Sequence, residues 1–344
     1  MKLLYPLTAA GWVFGVFGQQ KSFAANPILG SPRLNRWGLH RSRVALAERL
    51  ARRRRAALAH RVPAADREAF DRDGFVIKQD YLPPEIFAAV LEEVYGRPHQ
   101  AYEMRQGQTV TRMTPLNESA KPGLARAIGV VQDRGLTDLT GYVAGRGGAP
   151  IHFIQTVIAE PHRGAADPQT ALHADTFHAT AKFWLFLHDV GEEDGPFIFA
   201  PGSHRLTPER LEWEYEQSLT ARGDARAHHS YGSFRVASDE MARFGYDTPR
   251  RIAVRANTLV VADTYGFHSR APSDKATLRV ELHGHLRRNP FVPWNGLDVQ
   301  GLPGIYGRQL DIHHGIEGLR QRYLGATPLW RDVGRVAVDG PAQV

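Results

Sequence analysis

Between Thr277 and Leu286 polar and apolar residues alternate: Thr277, Arg279, Glu281, His283 and His285 interleave with Leu278, Val280, Leu282 and Leu286. A period of two marks a strand whose side chains face opposite ways. The pattern predicts an apolar face packed outward under helices and a polar face turned to the interior. Phe183 to Val190 reads as another strand, followed by an acidic turn at Glu192-Glu193-Asp194-Gly195. A returning strand then runs into a tight turn at Pro201-Gly202-Ser203-His204. Ile151 to Ala159 is a further strand, and Glu209 to Leu219 is helical.

Ahead of these strands the period changes. Asp66 to Asp73 predicts a helix stopped by Gly74 and followed by a short strand, Phe75-Val76-Ile77. Leu82-Pro83-Pro84-Glu85 opens another helix carrying Phe87, Val90, Leu91 and Val94. Gly96 to Pro150 reads as loop-rich, with one or two short helices over the mouth of the domain. Phe291 to Val344, broken by glycine and proline, reads as an ordered wrap around it.

The N-terminus divides into two unlike parts. Leu3 to Phe17 is nearly free of charge, but it is shorter than the roughly 20 residues that span a bilayer and is interrupted by Pro6, Gly11 and Gly15. Burial in the fold, insertion into a membrane surface, or a signal peptide with Lys2 as its basic end and Ser22-Phe23-Ala24 as its small-x-small site all fit that pattern. Arg33 to Arg61 is strongly basic, with a partial apolar stripe of Leu39, Val44, Leu46, Leu50, Ala57 and Leu58. Such a helix either packs on the domain or rests on anionic lipid. It lacks the aromatic pattern that stacks bases, so no nucleic-acid partner is expected. Residues 1–62 are thus read as a hydrophobic then basic extension, with peripheral membrane contact through residues 1–61. Residues 63–344 are read as one domain with a core at about 150–290.

The formal net charge of +7 reflects this local excess, and 42% apolar content is enough for a substantial core. The absence of cysteine excludes disulfides, thiolate metal sites and thiol nucleophiles. With 16 histidines, a His-x-Asp pair such as His173-Ala174-Asp175 is unremarkable by itself. It gains weight from His268, which closes the run Asn257 to His268, and from Arg279 eleven residues later. Two imidazoles and a carboxylate suit a borderline divalent metal, and a facial set of three with open positions points to non-haem Fe(II). A guanidinium facing the same interior can clamp a carboxylate.

His173-x-Asp175, the Asp194-Gly195-Pro196 turn, Pro201-Gly202-Ser203-His204, His268 and Arg279 together resemble the phytanoyl-CoA dioxygenase family of iron(II)- and 2-oxoglutarate-dependent oxygenases. That resemblance implies an α+β fold, mainly β: a double-stranded β-helix (a cupin-like jelly roll) behind an N-terminal helical extension. It implies His173, Asp175 and His268 as iron ligands, Arg279 on the distal carboxylate of 2-oxoglutarate, and Trp184, Gln155 and Ser269 beside that cosubstrate. Two residues beyond the last ligand, family members often carry a small hydroxyl; Arg270 stands there instead. The implied reaction consumes O₂ and 2-oxoglutarate, releases succinate and CO₂, and hydroxylates a C–H bond of a small-molecule or lipid-like substrate, with ascorbate as a stimulant. Asp175 argues against halogenation, because halogenating relatives keep a small residue there. Desaturation, epimerisation or cyclisation remain alternatives, as does a silent membrane-surface scaffold. Arg210, Trp213, His178 and Tyr231 are candidates for the substrate wall. The cosubstrate is a cytosolic metabolite, so a cytoplasmic location, peripheral to the membrane, is expected.

Overall fold

The computed structural model describes residues 5–325 and 327–344. Lys2 and Leu3, which begin the apolar N-terminal stretch, lie outside the described residues. In chain order the elements are α1 (Tyr5–Val16), α2 (Pro32–Arg36), α3 (Leu39–Leu58), α4 (Ala64–Asp73), β1 (Phe75–Lys78), α5 (Pro84–Tyr95), β2 (His99–Gln106), β3 (Thr109–Pro115), α6 (Lys121–Val131), α7 (Arg134–Val143), β4 (Ile151–Ala159), β5 (Ala181–Phe186), β6 (Phe197–Phe199), α8 (Pro208–Thr220), α9 (Ser238–Ala242), β7 (Arg250–Ile252), β8 (Leu259–Asp263), β9 (His268–Arg270), β10 (Thr277–Leu286), α10 (Gln309–Leu324) and β11 (Arg331–Val336).

Eight strands form the major sheet in the order β1-β8-β5-β10-β4-β3-β2-β11, and β7-β6-β9 form a minor sheet. β10 lies between β4 and β5, with Glu281 opposite Gln155 on one side and Phe186 on the other. Directly opposed residues share a face. The polar side of β10 is therefore continuous with Gln155 on β4, Trp184 and Phe186 on β5, and Met113 on β3. The other side carries Val280, Leu282 and Leu286 into the main core, where they meet Ile154, Phe183 and Leu185 and the apolar faces of α4 to α7. Each such buried aliphatic side chain contributes about 1.5–3 kcal/mol. Gly284 interrupts the apolar series because a Cβ there would stand 2.2 Å from the Phe183 ring. Phe197 and Phe199 of the minor sheet close over Trp184, Phe186 and Val260, completing the jelly roll.

Two regions differ from the sequence reading. Gly96 to Pro150 contains the β2–β3 hairpin, which extends the major sheet, and β11 from the C-terminal segment pairs with β2 outside it. These strands carry little apolar alternation because their polar residues are paired in place. Arg112 bonds Glu103 and the carbonyls of Ala337, Val338, Gly340 and Pro341. The buried stripe of α3 matches the apolar one only in part: Val44 and Leu58 are buried, but Leu46 and Ala57 are exposed, whereas Arg43, Arg54 and Arg55 are buried beside Ala47 and Ala51. Their guanidinium groups donate to main-chain carbonyls. Arg43 holds Val16, Gly18 and Gln20; Arg54 holds Gly145, Pro290 and Val292; Arg55 holds Tyr142 and Val143. No helix among the described residues is long and apolar enough to cross a membrane.

Candidate metal centre

His173 extends the minor sheet as an isolated bridge between His268 and Arg235. Its N–H and carbonyl exchange 2.9 Å bonds with those of His268. That reciprocal pairing puts the two side chains on one face, with ring centroids 4.5 Å apart. Asp175, two residues on, donates its N–H to Thr264 O at 2.9 Å, and its Oδ1 lies 3.7 Å from His173 Nε2 and 3.6 Å from His268 Nε2. All three donor atoms fall within 4.8 Å of one another.

The outer nitrogens are committed. His173 Nδ1 donates to Ala171 O at 2.8 Å and His268 Nδ1 to Gly266 O at 2.9 Å. Each bond turns Nε2 toward Asp175, the arrangement that orients metal-ligating imidazoles. With bonds of roughly 2.1 Å to a first-row divalent ion, cis donors stand about 3.0 Å apart. Burial holds His173 well below the usual histidine range, with His268 and Arg235 adding to the effect. For Asp175, burial opposes ionisation but is outweighed by Lys182 and then His268, so its carboxyl lies well below the usual carboxylate range. Two neutral imidazoles and a carboxylate are the protonation states a metal requires.

The turn that presents His268 is clamped from behind. Asp263 Oδ1 accepts the N–H groups of Thr180 and Tyr265 at 3.1 and 3.0 Å, and its Oδ2 accepts from Arg55 at 2.7 Å. Ser203 Oγ accepts the N–H of Phe267 at 2.8 Å, which gives the Pro201-Gly202-Ser203-His204 turn a place in the architecture.

The three candidates share a cavity of about 280 Å³ with Gln155, Trp184, Ser269 and Arg279. Arg279 donates from Nε to Glu281 Oε2 at 3.1 Å and from Nη1 to Gly195 O at 2.6 Å. It therefore lines the cavity and pairs with Glu281 at once. Burial raises the Glu281 carboxyl against the pull of Arg279. Arg270 reaches the same cavity and donates to Asp167 Oδ2 at 2.6 Å, while its Nε is buried without a partner.

The four substrate-wall candidates lie elsewhere. Arg210 is fully buried, bonded to Glu214 and stacked 3.7 Å from the Phe267 ring centroid. Trp213 is a centre of a separate aromatic core with Phe234, Phe244 and Phe267. They turn inward because the Arg210–Glu214 pair, one helical turn apart, satisfies the charge in place. His178 is buried with Nδ1 donating to Ala179 O at 2.9 Å, and Tyr231 is exposed to solvent away from the cavity. The metal cavity is lined, besides the residues already named, by residues that include Met104, Thr111, Met113, Lys182, His283 and Trp330. The β10 alternation pointed to His283, and Lys182 lies one residue before the strand read from Phe183; the strands that bring Met104, Thr111 and Met113 and the segment that brings Trp330 were read as loops or wrap.

A family model described as phytanoyl-CoA dioxygenase matches residues 70–243, a span that includes His173 and Asp175. No curated protein matches the chain significantly. Among solved structures, the non-haem α-ketoglutarate-dependent epimerase SnoN from nogalamycin biosynthesis is 18% identical over 67% of this chain and 82% of its own, with a TM-score of 0.42. The carbocyclase SnoK of the same biosynthesis is 20% identical over 66% and 84%, with a TM-score of 0.40. HygX from Streptomyces hygroscopicus, with nickel and 2-oxoglutarate bound, is 15% identical over 65% and 86%, with a TM-score of 0.41. With half of its length matched by the family model, the chain belongs to the phytanoyl-CoA dioxygenase family of iron- and 2-oxoglutarate-dependent oxygenases.

Proposed function

We propose that the protein is a dioxygenase that hydroxylates a C–H bond of a small-molecule or lipid-like substrate, with His173, Asp175 and His268 holding Fe(II). The observation that carries this reading is the convergence of His173 Nε2, His268 Nε2 and Asp175 Oδ1, with both Nδ1–H groups already spent on carbonyls. Iron, when bound, supplies O₂ activation coupled to conversion of 2-oxoglutarate to succinate and CO₂, with the second oxygen atom going to the substrate. Arg279 anchors the distal carboxylate of the cosubstrate. Trp184, Phe186 and Phe197 keep water from that end of the cavity, and Gln155 and Ser269 offer hydrogen bonds beside it. Asp175 fills the position a halide would need, which favours oxygen transfer over halogenation. Peripheral membrane contact draws support from α1, where Val13 and Phe14 are exposed, and from Phe17 just beyond it.

The test is O₂ uptake and succinate release by the full chain with Fe(II), 2-oxoglutarate and ascorbate, followed by a search for +16 products among candidate metabolites. His173→Ala and His268→Ala are expected to abolish succinate release. Retained release in either variant overturns the ligand assignment. A product two mass units lighter than its substrate replaces hydroxylation by desaturation or ring closure.

A further inference from the structure

Behind Asp175 lies a second cavity of about 440 Å³, in which Asp175, Lys182 and His285 also line the metal cavity. Gln19 and Lys21 reach it from the strap that follows α1. That strap is fixed by its backbone. Arg43 bonds the carbonyls of Val16, Gly18 and Gln20, Arg287 bonds Gln19 O at 2.7 Å, and Asn289 bonds Phe17 O at 3.0 Å. The N–H groups of Phe23 and Ala24 donate to Ser230 O. Gly232, at φ +77°, admits the strap where a Cβ would stand 2.1 Å from Lys21 O. Lys21 Nζ thereby donates to the main-chain carbonyl of Asp175 itself.

The charges of this cavity do not balance. Lys21, Lys182, Arg287 and Arg288 line it, and Asp175 is the single carboxylate among the described lining residues. Arg288 is neutralised by Asp298 at 2.9 Å, and Lys182 by Asp175 Oδ2 at 2.7 Å. Lys21 and Arg287 form no ion pair among the described residues, Asp175 attracting both only from beyond ion-pair distance, and Arg287 Nε is buried without any bond. Two partly desolvated cations whose nearest carboxylate is already paired with Lys182 are unfavourable, and one oxyanion bonded to both offsets the cost.

We propose that this second cavity is an anion site for the substrate. Lys21 and Arg287 hold a phosphate or carboxylate group, and the attached carbon skeleton passes Lys182 to reach the metal centre. The site rests on the oxygenase reading for the fate of the far end of the substrate; the capture of the anion does not. It also gives the N-terminal strap a part in substrate binding.

The test is calorimetric titration of the full chain, anaerobic and saturated with Fe(II) and 2-oxoglutarate, with hexyl phosphate, hexanoate, inorganic phosphate and hexan-1-ol. Hexyl phosphate or hexanoate is expected to bind more tightly than hexanol, and the stronger of the two identifies the oxyanion. Lys21→Gln and Arg287→Gln are each expected to weaken it at least about tenfold, while Arg287→Lys, which keeps the charge, retains most of the affinity. Equal binding of hexanol, unchanged affinity in both Gln variants, or equal loss in Arg287→Lys and Arg287→Gln overturns the proposal. The visible absorption band of the Fe(II)–2-oxoglutarate complex reports the metal centre in the same sample. If the band fails to form while anion binding depends on Lys21 and Arg287, the oxygenase reading falls and the anion site stands. If the band forms and no oxyanion binds, the anion site alone falls.

Discussion

Lys182 Nζ lies 2.7 Å from Asp175 Oδ2, while Oδ1 of the same carboxylate faces His173 Nε2 and His268 Nε2 at 3.7 and 3.6 Å. The two oxygens thus have separate partners, and Lys182 fixes the rotation of the carboxylate that offers Oδ1 to a metal. Removing the ammonium frees that rotation. We expect Lys182→Met to lower Fe(II) or Co(II) affinity roughly 10–100-fold, the usual effect of losing a ligand's orienting partner, and Lys182→Arg to recover most of it. Metal titration followed by tryptophan fluorescence measures this, and unchanged affinity in Lys182→Met removes Lys182 from the site.

Arg55 and Asp263 form a buried pair behind the His268 turn. Breaking such a pair on one side leaves an unpaired charge in the interior and costs about 3–5 kcal/mol. Arg55→Met should therefore lower the midpoint of urea unfolding sharply. Asp263→Asn in the same chain should recover part of the loss, because no lone carboxylate then remains. A single variant that unfolds at the midpoint of the parent shows that the pair does not support the turn.

β4, β5 and β10 were the easiest to read, because each presents one apolar face to helices. β10 shows this alternation through Val280 and Leu282, and β4 has the bounds its apolar run suggested. His173, Asp175 and His268 were read as a set from the family resemblance; in the fold, backbone pairing of His173 with His268 and the bond of Asp175 N–H to Thr264 O bring them together. β2 and β3 were not, since their buried Glu103–Arg112 pair is completed by main-chain carbonyls of the C-terminal segment, far away in sequence. The inward turn of Arg43, Arg54 and Arg55 was hidden for the same reason. Their acceptors are carbonyls that no residue pattern reveals. Lys21 reaches Asp175 across 154 positions, a contact that local periodicity cannot encode.

Acid should destabilise the fold through its buried histidines. Burial lowers His152 and His178 to about 3, and each has an Nε2 without a partner. Both are neutral in the folded chain, whereas in the unfolded chain they take up protons below about 6.5. Their contribution is fully present above that pH and is lost as pH falls toward 3, at roughly 1.4 kcal/mol per pH unit for each histidine. Urea midpoints measured from pH 7 to pH 5 should fall steadily. His152→Phe should make that slope shallower by one proton, and a slope identical to the parent shows that His152 is not held neutral.

Val13, Phe14 and Phe17 expose apolar surface beside a chain whose outward arginines include Arg49, Arg52 and Arg53. The full chain should co-sediment with vesicles containing anionic lipid, and a Phe14→Ser, Phe17→Ser double variant should stay in the supernatant. High salt should weaken the binding, because each basic side chain near such a surface contributes about 1 kcal/mol by a screened attraction. Equal recovery of both chains in the supernatant ends the membrane reading.

Arg279 and Arg270 meet the same cavity, each already balanced by an acid: Glu281 at 3.1 Å and Asp167 at 2.6 Å. Arg279 is held in place by Gly195 O, so a carboxylate arriving from the cavity meets a guanidinium that need not reorganise. A hydrogen bond to a charged group contributes about 1.5–3 kcal/mol, which corresponds to roughly 10–100-fold in affinity. Arg279→Gln should weaken 2-oxoglutarate binding by that factor, read from the absorption band of the anaerobic Fe(II) complex. Arg270→Ser restores the small hydroxyl common in the family and leaves Asp167 buried without its cation. It should weaken binding less than tenfold and lower the unfolding midpoint instead. If Arg279→Gln binds the cosubstrate as the parent does while Arg270→Ser loses it, the carboxylate clamp belongs to Arg270 and the assignment of Arg279 is wrong.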